Sequence, residues 1–342
     1  MLGKDKSIKV FVYPDEKYGV VFNPTNGFFV RKELEENEEP FMSKHGPELI
    51  DISITNWCDK GCDFCYKKSN IRGNHMSLDT FDMILKQAQE MDTIQIALGG
   101  GNPNQHPNFC EMIKLAREKY DIIPSYTTNG RGLSREVLEY TKKYCGSVAI
   151  SYYPPYKDVE RSIQLLNEHG IKPNMHFLID STSISHAVEF LPTPPSFVKG
   201  LNAIVFLNYK PVGRAVHKEL YANKNGNIST FFDAVNYFQK KNSTKVGFDS
   251  CSVSGIIKYM KIDERFIEPC EAGRFSMYID ENGCVYPCSF MIDSFEGVKV
   301  ESSNLIDIWQ NQKNFLEIRK LLMSKNNKKC INGCPVFPQI DF

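Results

Sequence analysis

Between residues 49 and 244 the sequence repeats one rhythm six times, a short apolar β-rich run followed by a more polar segment. The runs are LIDISIT (49–55), TIQIALGG (93–100), IIPSYTT (122–128), SVAISYY (147–153), KPNMHFLI (172–179) and AIVFLNY (203–209). Continuous apolar runs are what parallel strands show when helices cover both faces of their sheet. Amphipathic helical spacing fills most of the gaps, as in LDTFDMILKQAQEM, which Ser77 is placed to cap, and STFFDAVNYFQKK. The segment after the fifth run is weaker and broken by proline. Six units in about 195 residues fall short of the ~250 of a complete eight-unit barrel. They fit an open (β/α)6 barrel or a doubly wound sheet, and periodicity does not separate the two.

The flanks read differently. Residues 1–48 form a β-rich lead-in, with strands expected at IKVFVYP and YGVVFNP, a turn at Asn26-Gly27 and an acidic link at Glu33–Glu39. Residues 245–342 lose the rhythm. KVGFDSC, RFSMYID and CVYPCSF read as short strands or hairpin arms, Glu281-Asn282-Gly283 as a tight turn, and residues 305–323 as one helix. The expected organisation is therefore 1–48, 49–244 and a small cysteine-rich α+β extension over 245–342. The formal net charge is zero, which argues against a strongly basic nucleic-acid binder. No apolar run approaches the ~20 residues of a membrane span, and the N-terminus lacks a signal-peptide core, so a cytoplasmic protein is expected.

The 11 cysteines are too few for a disulfide scaffold, and in a reducing compartment they point to metal ligation or catalysis. Cys58, Cys62 and Cys65 stand together directly after the first strand, at the edge where barrel enzymes carry catalytic loops. Three soft ligands leave a zinc shell incomplete, and suit an iron–sulfur cluster with one iron left open. Cys251, Cys270, Cys284, Cys288, Cys330 and Cys334 crowd the last third. Cys110 and Cys145 lie in helix-like segments, where core packing is expected.

The C-x3-C-x2-C spacing, with Phe64 before its last cysteine, resembles the radical S-adenosylmethionine (SAM) superfamily. The resemblance implies a partial TIM-like barrel whose three cysteines hold a 4Fe–4S cluster. It further implies that SAM bound to the open iron is cleaved reductively to a 5′-deoxyadenosyl radical, which abstracts a hydrogen from the substrate. Gly99-Gly100-Gly101-Asn102-Pro103 resembles the family's GGEP segment, with Asn102 where the family carries Glu, and Thr127-Thr128-Asn129-Gly130 resembles its TNG segment. Phe64, Gly100, Gly101, Asn102, Thr128, Asn129 and Ser151 are accordingly expected near SAM. His176 is a candidate to face the barrel, and Lys210 and Arg214 to bind a carboxylate of SAM or substrate.

Cys270-x12-Gly283-x4-Cys288 and Cys330-x3-Cys334 resemble the opening and closing segments of SPASM and twitch extensions. A full SPASM closes with more cysteines than this chain has, so the resemblance implies a shortened extension with one auxiliary 4Fe–4S cluster, held by Cys270, Cys288, Cys330 and Cys334. Cys251 is an alternative ligand or a thiol that donates hydrogen to a substrate radical. Cys284 is expected to pack, and zinc is the inorganic rival in this region. The resemblance further implies a peptide substrate that is crosslinked or epimerised, with small-molecule dehydrogenation and a non-enzymatic Fe–S or zinc protein as rivals. The expected electron donor is a flavodoxin or ferredoxin.

Overall fold

The structure is a computed structural model that describes residues 8–25, 27–35, 40–263, 267–324, 334–340 and 342. The lead-in is a three-stranded antiparallel sheet of β1 (Lys9–Tyr13), β2 (Tyr18–Asn23) and β3 (Phe28–Glu33). The sequence reading anticipated the first two strands and missed β3. Strand β2 buries alternate residues, Tyr18, Val20 and Phe22, against Ile94, Ile123 and Phe275. Those partners lie at or just before the starts of barrel strands, so the lead-in closes the floor of the barrel. Arg31 of β3 fastens it there. Its buried guanidinium pairs with Glu48 (2.6 Å), Glu271 (2.9 Å) and Glu268 (3.0 Å), and lies 3.5 Å from the centre of the Phe275 ring.

All six expected strands form, as β4 (Leu49–Thr55), β5 (Gln95–Gly100), β6 (Ile123–Thr128), β7 (Ser147–Ser151), β8 (Asn174–Ile179) and β9 (Ala203–Asn208). The intervening helices are α1 (Leu78–Glu90), α2 (Phe109–Lys119), α3 (Arg135–Tyr144), α4 (Tyr156–Glu168) and α5 (Ser183–Phe190), and α6 (Ile228–Lys241) follows β9. Ser77 caps α1 by accepting from the Thr80 N–H. The residues turned outward on the strands, such as Ile50, Ile52, Ile96, Leu98, Ile150, Met175 and Phe206, join the helices in one continuous core.

Strand order decides the architecture. From β4 to β9 each strand pairs in parallel with the next, without the reversal that marks a doubly wound sheet. The fold is thus a partial TIM-like barrel. It runs past the expected boundary at 244 on one edge, where β10 (Lys245–Phe248) pairs in parallel with β9. On the other edge β11 (Ser276–Ile279) pairs in parallel with β4. Four-residue strands carry little pattern, and the partner of β11 lies over two hundred residues away, so neither edge could be read locally.

The rest of the extension is α7 (Val253–Tyr259), an antiparallel continuation of the sheet through β12 (Cys284–Tyr286) and β13 (Val298–Lys299), then α8 (Leu305–Asn311) and α9 (Lys313–Ser324). The expected tight turn at 281–283 forms on Asp280, whose Oδ1 accepts from the N–H groups of Asn282 and Cys284. The single helix expected over 305–323 is two, because Gln312 is extended between them. Among the described residues no helix is long and apolar enough to cross a membrane.

Candidate active site at the carboxyl ends of the strands

The chemistry-bearing residues gather where the barrel strands end. The loop after β4 carries Cys58, Cys62 and Cys65 as free, partly exposed thiols. It is folded on itself by Asn56 N–H to Asn74 O (2.7 Å), Cys58 N–H to Asn70 O (3.1 Å) and Cys65 N–H to Cys62 O (3.2 Å). Burial raises the Cys62 thiol pKa, with Lys60 opposing and Cys65 and Cys58 adding to the rise. A cationic occupant beside Cys62 would offset that rise. Among the described residues no three His, Cys, Asp or Glu side chains close around a single ion position. A cluster takes each thiolate on a different iron, so its ligands need not converge on one point.

Two neighbouring loops pack on this one. A methyl group on Gly101 would sit 2.0 Å from Trp57 O, and one on Gly100 would sit 2.1 Å from Ser53 Oγ. Gly101 is therefore demanded by close approach to the cysteine loop, and Gly100 by close approach to the end of β4. Asn102, 0% exposed, accepts from Thr128 Oγ1 (2.9 Å) and Asn129 N–H (3.0 Å), and donates to Gln105 Oε1 (2.5 Å) and Arg131 O (3.1 Å). Asn102 and Thr128, expected beside SAM, thus staple the two loops from within. An amide can do this because it both donates and accepts, which the family's Glu cannot do when ionised. Asn129 is the member of this set that reaches the thiols, with its Nδ2 3.6 Å from Cys58 Sγ.

Across the mouth, Phe64 meets the Tyr153 ring edge-on at 4.7 Å, and Tyr153 lies just beyond Ser151, the last residue of β7. His176 is level with Ser151 in the register and sees Asp249, while burial lowers its pKa to about 4 and keeps it neutral. Lys210 is buried. Its ammonium pairs with Asp249 and stands 4.6 Å from the centre of the Phe290 ring. Burial works against that charge, yet Asp249, Cys251 and Cys288 together hold its pKa above the usual lysine value. Arg214 grips the first cysteine loop, with its N–H to Cys65 O (3.0 Å), Nη1 to Cys62 O (2.9 Å) and Nη2 to Ser69 O. Gly213 allows the contact, having φ of +64° and no room for a methyl group, which would meet Tyr66 O at 2.3 Å. The loop after β9 is therefore a strap, anchored by Arg214 on the first cysteines and by Lys210 beside the second.

The second group draws on distant segments. The Cys251 thiol is raised well above its usual range by burial, and it senses Lys210, Cys270 and Cys334. Burial pushes Cys288 up to about 11, within range of Cys334 and Lys210. Cys251, Cys270, Cys288 and Cys334 thus share one neighbourhood, whereas Cys330 lies outside the described residues. Cys284 stands apart, among Asp280, Lys299 and Tyr286, and Cys110 and Cys145 pack against the main core.

Sequence reasoning missed a polar group inside the barrel. Asp51 and Ser53 of β4 point inward beside Tyr66, Lys67, Tyr278 and Glu281. Lys67 pairs with Glu281 (2.8 Å), which also accepts from Ser53 Oγ (2.9 Å). The available signal was an aspartate in the middle of the otherwise apolar LIDISIT run.

Residues 52–152 match the family model of the radical SAM superfamily, and residues 270–335 match that of the SPASM iron–sulfur cluster-binding domain. The GTP 3′,8-cyclase of Cronobacter sakazakii is 28% identical over 106 residues, 29% of this chain and 32% of that protein, so the chain spans about a third of that relative. The probable GTP 3′,8-cyclase of Methanocaldococcus jannaschii is 24% identical over 75% of this chain and 90% of its own length. The PqqA peptide cyclase of Gluconobacter oxydans is 26% identical over 27% of this chain and 26% of its own. Among solved structures, Streptococcus suis SuiB bound to the precursor peptide SuiA superimposes with a TM-score of 0.68 at 16% identity, covering 89% of this chain and 88% of that one. The enzyme anSMEcpe with bound AdoMet and the Cp18Cys peptide gives a TM-score of 0.60 at 15% identity, over 84% and 88%. At such identities the likeness is one of fold.

Proposed function

The chain belongs to the radical SAM superfamily and carries a SPASM-type iron–sulfur extension, and from that premise we propose that it modifies a ribosomally made peptide, by crosslinking or epimerisation. The cofactors of such an enzyme are a 4Fe–4S cluster with SAM and auxiliary iron–sulfur chemistry in the extension. When bound, the first pair supplies a 5′-deoxyadenosyl radical able to take a hydrogen atom from an unactivated carbon. In this reading Cys58, Cys62 and Cys65 hold the SAM cluster, and Asn129 donates to the Cys58 sulfur. Phe64, Gly100, Gly101 and Ser151 face the SAM position, while Asn102, Thr128 and Arg214 hold the loops that carry it. One auxiliary cluster draws its ligands from Cys251, Cys270, Cys288, Cys330 and Cys334. The closed floor and helix-lined wall keep water from the reacting carbon.

One observation carries the choice of a peptide over a nucleotide such as the one named for the cyclase relatives. Inside the barrel three carboxylates, Asp51, Asp249 and Glu281, meet two ammoniums, Lys67 and Lys210, each already paired. A triphosphate needs several free cations, whereas peptide side chains suit a lumen of aromatic rings and acids. The fold of SuiB, solved with its precursor peptide, supports the same reading. The test is anaerobic reconstitution with SAM and a reductant, together with a short peptide encoded beside this gene. The expected product is 5′-deoxyadenosine, with the peptide either losing two hydrogens or taking up solvent deuterium at constant hydrogen count. Turnover of GTP with the peptide unchanged would overturn the reading.

A further inference from the structure

We propose that Asp51, flanked by Tyr66 and Tyr278, binds a protonated amine of the substrate inside the barrel. The proposal rests on the peptide reading only in that a side-chain ammonium would then be the natural occupant. Asp51 is level with Tyr278 of β11 on one side and Ala97 of β5 on the other. Two residues beyond Ala97, Gly99 leaves an open point in the lumen. An atom placed where its Cβ would stand lies 3.8 Å from Asp51 Oδ1 and 3.9 Å from Tyr66 Oη. That point adjoins both the cysteine loop, which contributes Tyr66, and the glycine segment that packs on it.

The surrounding groups leave Asp51 unmatched. Lys67 is taken by Glu281, and the Ser53 hydroxyl is engaged with Glu281 and Thr55 O. No hydrogen-bond donor reaches the Asp51 carboxylate among the described residues. Tyr278 Oη, on a side chain 1% exposed, also has no hydrogen-bond partner. A half-buried carboxylate that shares one point with the Tyr66 hydroxyl, with the unpartnered Tyr278 phenol nearby, is costly unless something fills it. An ammonium answers both, because it brings three donors and one positive charge. Burial raises the Asp51 carboxyl to about 7 against the pull of Lys67, and Tyr66, Tyr278, Glu281 and Cys288 face it from the other packed elements.

The test uses the reconstituted full chain with n-butylammonium, a mimic of a lysine side chain, and n-butanol as its neutral match. Calorimetric titration at pH 8 is expected to show binding of the ammonium and not of the alcohol. Asp51→Asn should weaken that binding about tenfold or more, the equivalent of one charge-assisted hydrogen bond. Tyr278→Phe should weaken it by a smaller factor. Thermal unfolding without ligand separates binding from misfolding. The folded-state carboxyl titrates above its unfolded value, so the contribution of Asp51 to stability is greatest below about pH 4 and is lost as pH rises through about 7. Asp51→Asn should flatten that fall and leave the protein at least as stable at pH 8. Equal binding by wild type and Asp51→Asn, or equal binding of the alcohol, would overturn the proposal. Because the probe is not a peptide, a small-molecule amine substrate would defeat the peptide reading and leave this one standing.

Discussion

The two cysteine groups are built in opposite ways. The first is local. Three thiols lie within eight residues of one loop, partly exposed, with an amide at 3.6 Å from one sulfur. The second is assembled from the loop after β10, the approach to β11, the segment after β12 and the C-terminal end, with Cys251 and Cys288 raised by burial. A local group can be supported by its own loop, while a dispersed one depends on the whole extension being docked. The difference predicts that the first site fails by single contacts and the second by loss of packing.

Cys58→Ala is the hardest test of the contrast. It should abolish 5′-deoxyadenosine formation and leave about four of about eight irons per chain, those of the auxiliary site. Cys288→Ala should reverse the pattern, sparing SAM cleavage without peptide while removing the auxiliary iron. If either variant lost both clusters, the two sites would not be separable. Next in size, Lys210→Met leaves the half-buried Asp249 beside the second group without its ammonium partner, with only Asn208 N–H and the Ser252 hydroxyl still donating to it. It should cost about 2–3 kcal/mol in urea unfolding, with auxiliary iron lost before the SAM cluster.

Gly213→Ala strains the strap at its other anchor and should cost about 2 kcal/mol or more. Here the SAM cluster should be the one lost first, as judged by electron paramagnetic resonance. The smallest effect is expected of Asn129→Ala, which removes one donor from a cluster sulfur. The midpoint potential should fall by about 40 mV, the one-electron equivalent of a hydrogen bond worth about 1 kcal/mol.

Much of this was legible because it is local. The β4 to β9 strands are apolar runs long enough to show their pattern, and the C-x3-C-x2-C spacing is contained in one loop. What escaped depends on partners far away in sequence. Nothing in Ser276–Ile279 names Leu49–Ile52 as its neighbour, and Cys251 joins the second group only because β10 extends the barrel. Asn102 and Thr128 were matched to a SAM-contacting motif, yet the same atoms are saturated by each other and by Gln105 and Arg131. A motif gives the loop, and packing decides which of its side chains turn inward. Arg214 illustrates the same point, since a guanidinium at the mouth suits a carboxylate or two carbonyls, and only the fold shows the carbonyls of Cys62 and Ser69.

The placement of β11 beside β4 has a consequence for biosynthesis. About 220 residues separate the end of β4 from the start of its edge partner. At ~5–20 residues per second that is some tens of seconds of translation. During that interval the strand leading into the SAM-cluster loop presents a bare edge, the kind of surface on which nascent chains pair wrongly. The ties of the cysteine loop to Asn70, Asn74 and Arg214 are delivered well before that edge is covered.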